Sequence, residues 1–477
     1  MKLIYNVQDR PKTPQLLLFA LQQLLAILAA TIAVPAIVGN GMSQSAALFG
    51  AGVGTLVYLL FTRFKSPVFL GSSFAFIGSM FAAFGGAASM QAGYLGLLLG
   101  ALFAGLVYVA IALIVKFAGV EWINKVMPAV VIGPTVAIIG LSLAGNAVGD
   151  ALTGLGAAGE MTLRSGLSLI CALVTLCTVI LCSVFAKKTI KTIPFIMGIL
   201  AGYVLATIFT LIGKGADNAS MQLISWEGFK HMQWFPDFAF IEAFKGFKDL
   251  TGAYFGTVAV AYVPVAFVVF AEHLADHKNI SSIIEKDLTK DPGLSNTLMG
   301  DGVGSIAGAF FGGCPNTTYG ESIGCVAISG NASVITIFCT AIMAIVASFI
   351  APFVTFLATI PSCVMGGVCI ALYGFIAVSG LKMIQKVDLE DNRNLFVVAT
   401  ILITGIGGMT LTFGKVTLTE IAVALILGIL VNLLVHVKFK CAGCECAEAE
   451  EADEIEDAPE AEKVEEAETA EEPADKE

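Results

Sequence analysis

The chain has 477 residues, of which 57% are hydrophobic and 13% are charged, and its mean hydropathy is +0.86. Soluble globular proteins carry about 25% charged residues, so this balance excludes an ordinary soluble protein. The apolar content also excludes a disordered chain. A bilayer-spanning helix needs about 20 apolar residues, and the chain supplies such runs repeatedly. The composition therefore indicates an all-α polytopic membrane protein.

The formal net charge of −11 is divided unevenly along the chain. Residues 445–477 hold 17 acidic residues and two lysines, whereas the remainder holds 24 basic and 20 acidic residues. The segment 441–477 is rich in Ala and Glu, so it cannot bury a core and is predicted to be a disordered cytoplasmic tail. Its Cys441, Cys444 and Cys446 favour free thiols over a metal site, because a fourth ligand is missing.

The chain begins with basic residues and enters an apolar segment directly, without the features of a cleavable signal. The apolar runs predict 14 spans, near residues 16–39, 46–62, 68–88, 94–115, 126–145, 166–186, 193–213, 253–277, 295–312, 317–330, 332–357, 362–381, 394–412 and 417–437. With a cytoplasmic N-terminus, the cytoplasmic loops collect 18 Lys and Arg residues and the outer loops six, the tail aside. This positive-inside bias predicts two cytoplasmic termini and an extracytoplasmic loop at 214–252.

Spans 3 and 10, near 68–88 and 317–330, are rich in Gly, Ser and Thr and resemble each other. Gly71-Ser-Ser-Phe-Ala-Phe76 matches Asn316-Thr-Thr-Tyr-Gly-Glu321, and a proline precedes each. Such residues favour irregular backbone, which is tolerated within a membrane only where protein or a cavity covers it. We therefore predict a short extended segment in each span. Its half-helix would offer free N–H groups to a substrate, although close helix packing is the competing explanation.

A second pair of segments matches in the same way. Pro128 is followed five residues later by Gly133, and Pro361 is followed at the same spacing by Gly366. Both pairs are offset by about half the chain, and seven spans per half is an odd number. The second half would therefore insert upside down, as in secondary transporters. This predicts two inverted seven-span repeats, at residues 1–213 and 253–440.

Few acidic residues fall within the predicted spans. Glu272 follows the apolar run 258–271, Glu321 lies in span 10, and Asp276 shares a helical face with Glu272. An ionisable group inside the membrane costs about 2.5 kcal/mol or more, so it normally faces a polar interior and has a function. The competing interpretation is an interfacial charge or half of a structural pair, and it is strongest for Asp276.

Other polar residues in the spans have two interpretations each. His273 and His277 could shuttle protons or could be hydrogen-bonded packing residues. Gln22 and Gln23 are costly to bury unpaired, so we expect one of them to face the cavity. Asp301, near a span end, is expected to be interfacial.

Two aromatic residues occupy matching positions of the repeated segments. Phe74 and Tyr319 could sandwich a flat ring, with ordinary core packing as the competing interpretation. The spans contain neither a nucleophile–base pair nor a complete metal set, so we do not expect an enzyme.

Three segments taken together carry a family resemblance. They are residues 314–324 (Cys-Pro-Asn-Thr-Thr-Tyr-Gly-Glu-Ser-Ile-Gly), residues 71–76, and Glu272-His273 with the later Lys286-Asp-Leu and Lys290-Asp-Pro-Gly-Leu. The chain resembles the nucleobase–cation symporter-2 (nucleobase–ascorbate transporter) family, in its uracil permease branch, over about residues 10–438. The resemblance implies a core of spans 1–4 and 8–11, a gate of spans 5–7 and 12–14, and a substrate between the two extended segments.

The resemblance also implies a set of binding residues. Glu272 and Glu321 would hold the uracil ring, beside backbone groups of Phe74 and Gly320 and the ring of Tyr319. Uracil is planar and neutral, with two N–H donors and two carbonyl acceptors. Carboxylates can accept from its N–H groups, and backbone N–H groups can donate to its carbonyls.

The chain departs from the family at two positions. Gln22-Gln23 stands where the family commonly has Gln-His, and Asp276 stands where uracil permeases have a His, with His277 one position later. The proton path is therefore less certain than the ring-binding pair. The proton-coupling candidates are Glu272, Asp276, His273, His277 and Gln23.

These features predict import of uracil by proton symport with alternating access, across the inner membrane of a bacterial cell. Rival functions are a purine or xanthine permease of the same family and a sulfate-permease-like anion transporter. The anion transporter would favour a basic residue where this chain has Glu321. We expect no cofactor beyond the coupling proton, no metal in the spans, membrane lipid around them and no nucleic-acid partner. A homodimer is left open.

Overall fold

A computed structural model describes residues 3–436, apart from 120, 188, 231, 233, 414 and 415. The tail 441–477, with its three cysteines, lies outside the described residues. The helices are α1 (Thr13–Val38), α2 (Gln44–Phe61), α3 (Ile77–Gly85), α4 (Met90–Ala118), α5 (Glu121–Val126), α6 (Ala129–Ser142), α7 (Ala144–Ala151), α8 (Leu163–Phe185), α9 (Thr189–Thr192), α10 (Pro194–Gly215), α11 (Ala239–Lys245), α12 (Gly252–Ile284), α13 (Leu294–Gly312), α14 (Gly320–Ser329), α15 (Val334–Ala347), α16 (Ala351–Ala358), α17 (Ser362–Ile384), α18 (Asn392–Ile406) and α19 (Glu420–Val435). Strand β1 (Leu70–Ser72) pairs with β2 (Asn316–Thr318), and β3 (Leu411–Phe413) pairs with β4 (Val416–Leu418).

Long apolar helices dominate the described part of the chain. Eight helical segments there are long and apolar enough to cross a bilayer: α1, α2, α4, α6 with α7, α8, α10, α12 and α17. Helices α15 and α16, bent by 83° at their junction, would make a ninth. The other predicted spans coincide with shorter or less apolar elements, namely α3, α13, α14, α18 and α19. The prediction of an all-α multi-pass membrane protein is confirmed, and the number 14 remains a prediction.

Glycine allows neighbouring helices to approach at backbone distance. A Cβ added at Gly50 of α2 would lie 2.3 Å from the carbonyl oxygen of Gly308 on α13, and one added at Gly54 would lie 2.7 Å from that of Gly304. Apolar side chains gain little from leaving lipid, so helices in membranes associate through close packing of small residues. These glycines are therefore contact points between α2 and α13.

The most extensive helix packing falls into two groups. The first contains α1, α2, α3, α4, α12, α13 and α15, and the second contains α6, α7, α8, α10, α17, α18 and α19. Helix α12 belongs to the first group and also touches α6 and α19 of the second. It is therefore a helix through which the two groups meet.

The β1–β2 pair has a local two-fold relation that follows the sequence repeat. Gly71 pairs with Thr317, and Ser72 pairs with Asn316, in antiparallel register. The repeat offset of 245 residues relates Gly71 to Asn316 and Ser72 to Thr317. Exchanging each residue of the first pair for its equivalent in the other repeat therefore gives the second pair. The structure thus has an extended segment at both places where the sequence predicts one.

The helices that follow the second pair of matched segments, α6 and α17, pack against each other. A Cβ at Gly133 of α6 would lie 3.2 Å from the carbonyl oxygen of Gly380 on α17, and one at Gly140 would lie 2.2 Å from that of Tyr373. The later residue of α6 thus contacts the earlier residue of α17, so the two helices run antiparallel. This is the arrangement that an inverted repeat requires of its equivalent helices.

The α2–α13 contact yields a stability prediction. Gly50→Ala should lower the free energy of unfolding by about 1–3 kcal/mol, because its methyl group meets a carbonyl oxygen that cannot move independently. The control is Gly166→Ala in α8, where no atom lies within 4 Å of the added Cβ. It should change stability little or raise it by up to about 1 kcal/mol. Thermal unfolding in detergent measures both variants, and equal melting temperatures would contradict the close contact.

Candidate functional site

Two broken helices meet at the β1–β2 pair. Their backbone groups are satisfied mainly by each other, with Ser73 N–H donating to the Pro315 carbonyl at 2.9 Å and Tyr319 N–H to the Phe69 carbonyl at 3.2 Å. Helix α14 begins directly after Tyr319 with no side-chain cap, so its first N–H groups have no acceptor within the helix. Gly320 is exposed although the residues before it are buried. The N-terminus of α14 is therefore open to a ligand.

Tyr319 is fixed against the strand pair. Its hydroxyl donates to the Ser72 carbonyl at 2.7 Å, and a Cβ added at Gly71 would lie 2.3 Å from the ring. Gly71 therefore provides the space that the ring occupies. The ring of Phe74 instead meets Tyr373 of α17 edge-on, with centroids 5.6 Å apart. Whether Phe74 and Tyr319 enclose a flat ring stays a prediction.

The three acidic residues predicted from the sequence come together. Glu272 and Asp276 on α12 lie within electrostatic range of Glu321 on α14. All three side chains are partly exposed, although their neighbours along both helices are largely buried. Asp276 Oδ2 accepts a hydrogen bond from the Thr318 hydroxyl at 2.7 Å. Within the described residues, no side chain donates a hydrogen bond to Glu272 or Glu321.

His273 and His277 lie on another face of α12 and are fully buried. His273 Nδ1 lies 2.7 Å from Asp301 Oδ2, and His273 Nε2 lies 3.1 Å from the Thr297 hydroxyl. His277 contacts the Tyr58 hydroxyl through Nε2 at 2.7 Å. The two imidazoles stack with their centroids 3.9 Å apart. The histidines thus form a buried polar network inside the helix packing. Its member Asp301 lies within electrostatic range of the partly exposed Glu272 and Asp276.

The expectation that Asp301 is interfacial is wrong. Its side chain is 1% exposed and pairs with His273. The cause is the flanking glycines: a Cβ at Gly302 would lie 2.6 Å from the Cβ of Tyr108, and one at Gly300 would lie 3.0 Å from that of Phe61. The neighbouring helices therefore enclose a position that sequence places near the end of a span.

Gln23 connects α1 to the start of α14. Its Nε2 donates to the Ser322 hydroxyl at 2.5 Å and to the Ser322 carbonyl at 3.1 Å. The Ser322 hydroxyl also accepts from the Phe69 N–H at 3.1 Å. Gln23 thereby holds the residue next to Glu321 and stays 3% exposed. Sequence reasoning did not identify Thr318 or Ser322 as partners, although both lie in the hydroxyl-rich segment it singled out.

Two broken helices with acidic residues beside the breaks are typical of secondary transporters. Similar proteins belong to the same class. A model of a permease family matches residues 14–414, so the chain belongs to that family, the nucleobase–cation symporter-2 permeases. It is 38% identical to the uracil permease of Bacillus caldolyticus and 37% identical to that of Bacillus subtilis (strain 168), covering 91% of this chain and 95% of each relative. These relatives are named permeases, so the prediction that the chain is not an enzyme is confirmed.

The fold is also shared with a distant transporter. The murine anion transporter Slc26a9, in its inward-facing state, aligns with a TM-score of 0.64 and 13% identity. The alignment covers 90% of this chain and 69% of that one. At this identity the likeness shows the fold alone.

The His273–Asp301 pair yields a second stability prediction. His273→Ala should lower the free energy of unfolding by about 3 kcal/mol or more, because it leaves the buried Asp301 carboxyl without its partner. His436→Ala, at the exposed end of α19, is the matched control and should have little effect. Thermal unfolding in detergent measures both. A His273→Ala protein as stable as the control would show that the pair does not stabilise the fold.

Proposed function

We propose that the chain imports uracil by proton symport with alternating access. The observation that carries the proposal is the pair Glu272 and Glu321. Glu272 lies on the long helix α12 and Glu321 on α14, which follows a break, and the two carboxyl groups lie within electrostatic range of each other. Both are partly exposed, and neither accepts a side-chain hydrogen bond within the described residues. Polar groups at membrane depth normally have partners. Within the described residues, Glu321 accepts only from its own backbone N–H, so both carboxyl groups keep acceptor sites that a ligand can fill.

The hydrogen-bonding pattern of uracil fits this arrangement. Its two ring N–H groups can donate to the Glu272 and Glu321 carboxylates. Its carbonyl oxygens can accept from the free N–H groups at the start of α14, including that of the exposed Gly320, and from backbone groups near Phe74. A neutral ligand of this kind is held by charge-assisted hydrogen bonds without a fixed countercharge.

Proton coupling would follow from the repulsion among the acids. Three carboxylates in one region repel each other, and protonation of one of them relieves that repulsion. Asp276 is already held by Thr318, so Glu272 is the better candidate for the coupling acid. A protonated Glu272 could still accept from uracil through its carbonyl oxygen. Loss of its negative charge would lower the desolvation cost of the occluded site during the change between outward-open and inward-open states.

Alternating access would come from motion of the two helix groups. The group with α1–α4, α12, α13 and α15 carries Glu272 and Asp276, and α14, which carries Glu321, packs on α1 and α12 of this group. This group with α14 would be the core, and the group with α6, α7, α8, α10, α17, α18 and α19 would be the gate. The predicted topology, with both termini in the cytoplasm of a bacterium, would let the site open first outwards and then inwards.

Binding is tested by thermal unfolding of the purified protein against a panel of nucleobases. Uracil should raise the melting temperature, and Glu272→Gln and Glu321→Gln should each weaken uracil binding by at least about tenfold, the loss expected for a charge-assisted hydrogen bond. Glu390→Gln, on an exposed loop, is the control and should bind as the parent does. A larger response to xanthine than to uracil would favour the purine permease instead.

Coupling is tested in proteoliposomes with labelled uracil. An inward proton gradient should accelerate uptake, and a protonophore should abolish that acceleration. Glu272→Asp, which keeps the carboxyl group, should retain some of the response, whereas Glu272→Gln should lose it. Uptake that a protonophore leaves unchanged would defeat proton symport while leaving uracil transport intact.

A further inference from the structure

A second polar cavity, of about 230 Å³, lies apart from the site of the three acids. Its walls come from the α7–α8 connection, the first turns of α8, the loop after α10 and the α16–α17 connection. The predicted topology puts all of these segments on the extracytoplasmic side. None of the lining residues is acidic.

Arg164 supplies a positive charge to this cavity. It is half-buried, and the ion pairs of the described residues do not include it. Its aliphatic stem packs on Gly154, where an added Cβ would lie 2.8 Å from the arginine Cγ and Cδ atoms. A guanidinium group held at a cavity wall without a carboxylate is suited to an anionic ligand.

The N-terminus of α17 forms another part of the wall. This 23-residue helix starts at Ser362 after Pro361, and no side chain caps it. The Pro361 carbonyl accepts from Val364 and Met365, so the N–H groups of Ser362 and Cys363 come before the first helical hydrogen bonds. Helix N-termini favour anions through these N–H groups and the helix dipole.

Ser168 independently indicates a ligand. Its side chain is 1% exposed and lines the cavity, and its hydroxyl has no hydrogen-bond partner in the part of the chain that the structure describes. The Cys363 thiol lies beside it, and sulfur is only a weak partner for a hydroxyl. A buried hydroxyl normally has an acceptor, and an oxygen atom of a bound anion would provide one.

We propose that this cavity binds a phosphate-type oxyanion, taken either from solution or from the headgroup of an outer-leaflet phospholipid. The Arg164 guanidinium, the first N–H groups of α17 and the Ser168 hydroxyl are its donors. The ligand would tie α8 to α17, two helices of the same packing group, so binding stabilises the fold. The site is independent of the proposed uracil transport.

Inorganic phosphate is the probe for the soluble source. The purified full chain in detergent is titrated with phosphate at constant ionic strength, set with sodium chloride, and thermal unfolding is followed. We expect a saturable rise in melting temperature. Arg164→Gln should weaken the apparent affinity at least about tenfold, and Ser168→Ala should weaken it by less. Lys248→Gln removes an exposed charge outside the cavity and should respond as the parent does.

Native mass spectrometry of the same proteins tests the lipid source. If a headgroup phosphate occupies the cavity, Arg164→Gln should retain one phospholipid fewer than Lys248→Gln. The proposal is overturned if Arg164→Gln and Ser168→Ala match the parent both in phosphate response and in retained lipid. Glu272→Gln should keep the phosphate response, so failure of uracil binding and failure of this site are distinguished.

Discussion

The hydrogen-bonded pair of short strands is the constraint on which the site depends. Inside a bilayer, backbone N–H and C=O groups have no water to bind, so a helix can be broken only where another part of the protein satisfies the break. Here each broken helix satisfies the other, through β1 and β2 and the flanking bonds of Ser73 and Tyr319. Two half-helices can then begin at the same depth, with free N–H groups at their starts.

Glycine packing determines where the strand pair lies. The side-chain amide of Asn316 donates to the Gly50 carbonyl at 3.1 Å and packs between α2 and α13. A Cβ at Gly54 would lie 2.5 Å from the amide nitrogen, and one at Gly308 would lie 2.0 Å from it. The glycines that bring two helices together therefore also anchor β2, and β2 leads directly into Glu321.

The positions of the two helix breaks and of the acids beside them could be predicted from the sequence, because the breaks consist of residue types that helices disfavour. The hydroxyl and glycine segments at 71–76 and 316–321 marked both extended stretches, and the rarity of acids within spans marked Glu272 and Glu321. The burial of Asp301 could not be predicted, since it depends on helices α2 and α4 closing over Gly300 and Gly302, and the sequence does not show which helices pack on those glycines. The hydrogen bonds of Gln23 to Ser322 and of Thr318 to Asp276 could not be predicted either, because they join segments that are distant in the sequence.

Helix α12 shows how one helix can carry both rigid and responsive polar groups. Glu272 and Asp276 are four residues apart, as are His273 and His277, so each pair occupies its own face. The histidine face is closed by Asp301, Thr297 and Tyr58, which contact the ring nitrogens of both imidazoles. Within the described residues, the other carboxyl oxygen of Asp301, Oδ1, has no hydrogen-bond partner. The acidic face keeps accessible surface, and Glu272 on it accepts no side-chain hydrogen bond from the described residues. A group whose partners are permanent stabilises one arrangement, whereas a group that lacks them can change partners as a ligand or proton arrives. The buried network thus holds α12 in place, while Glu272 beside it can change partners.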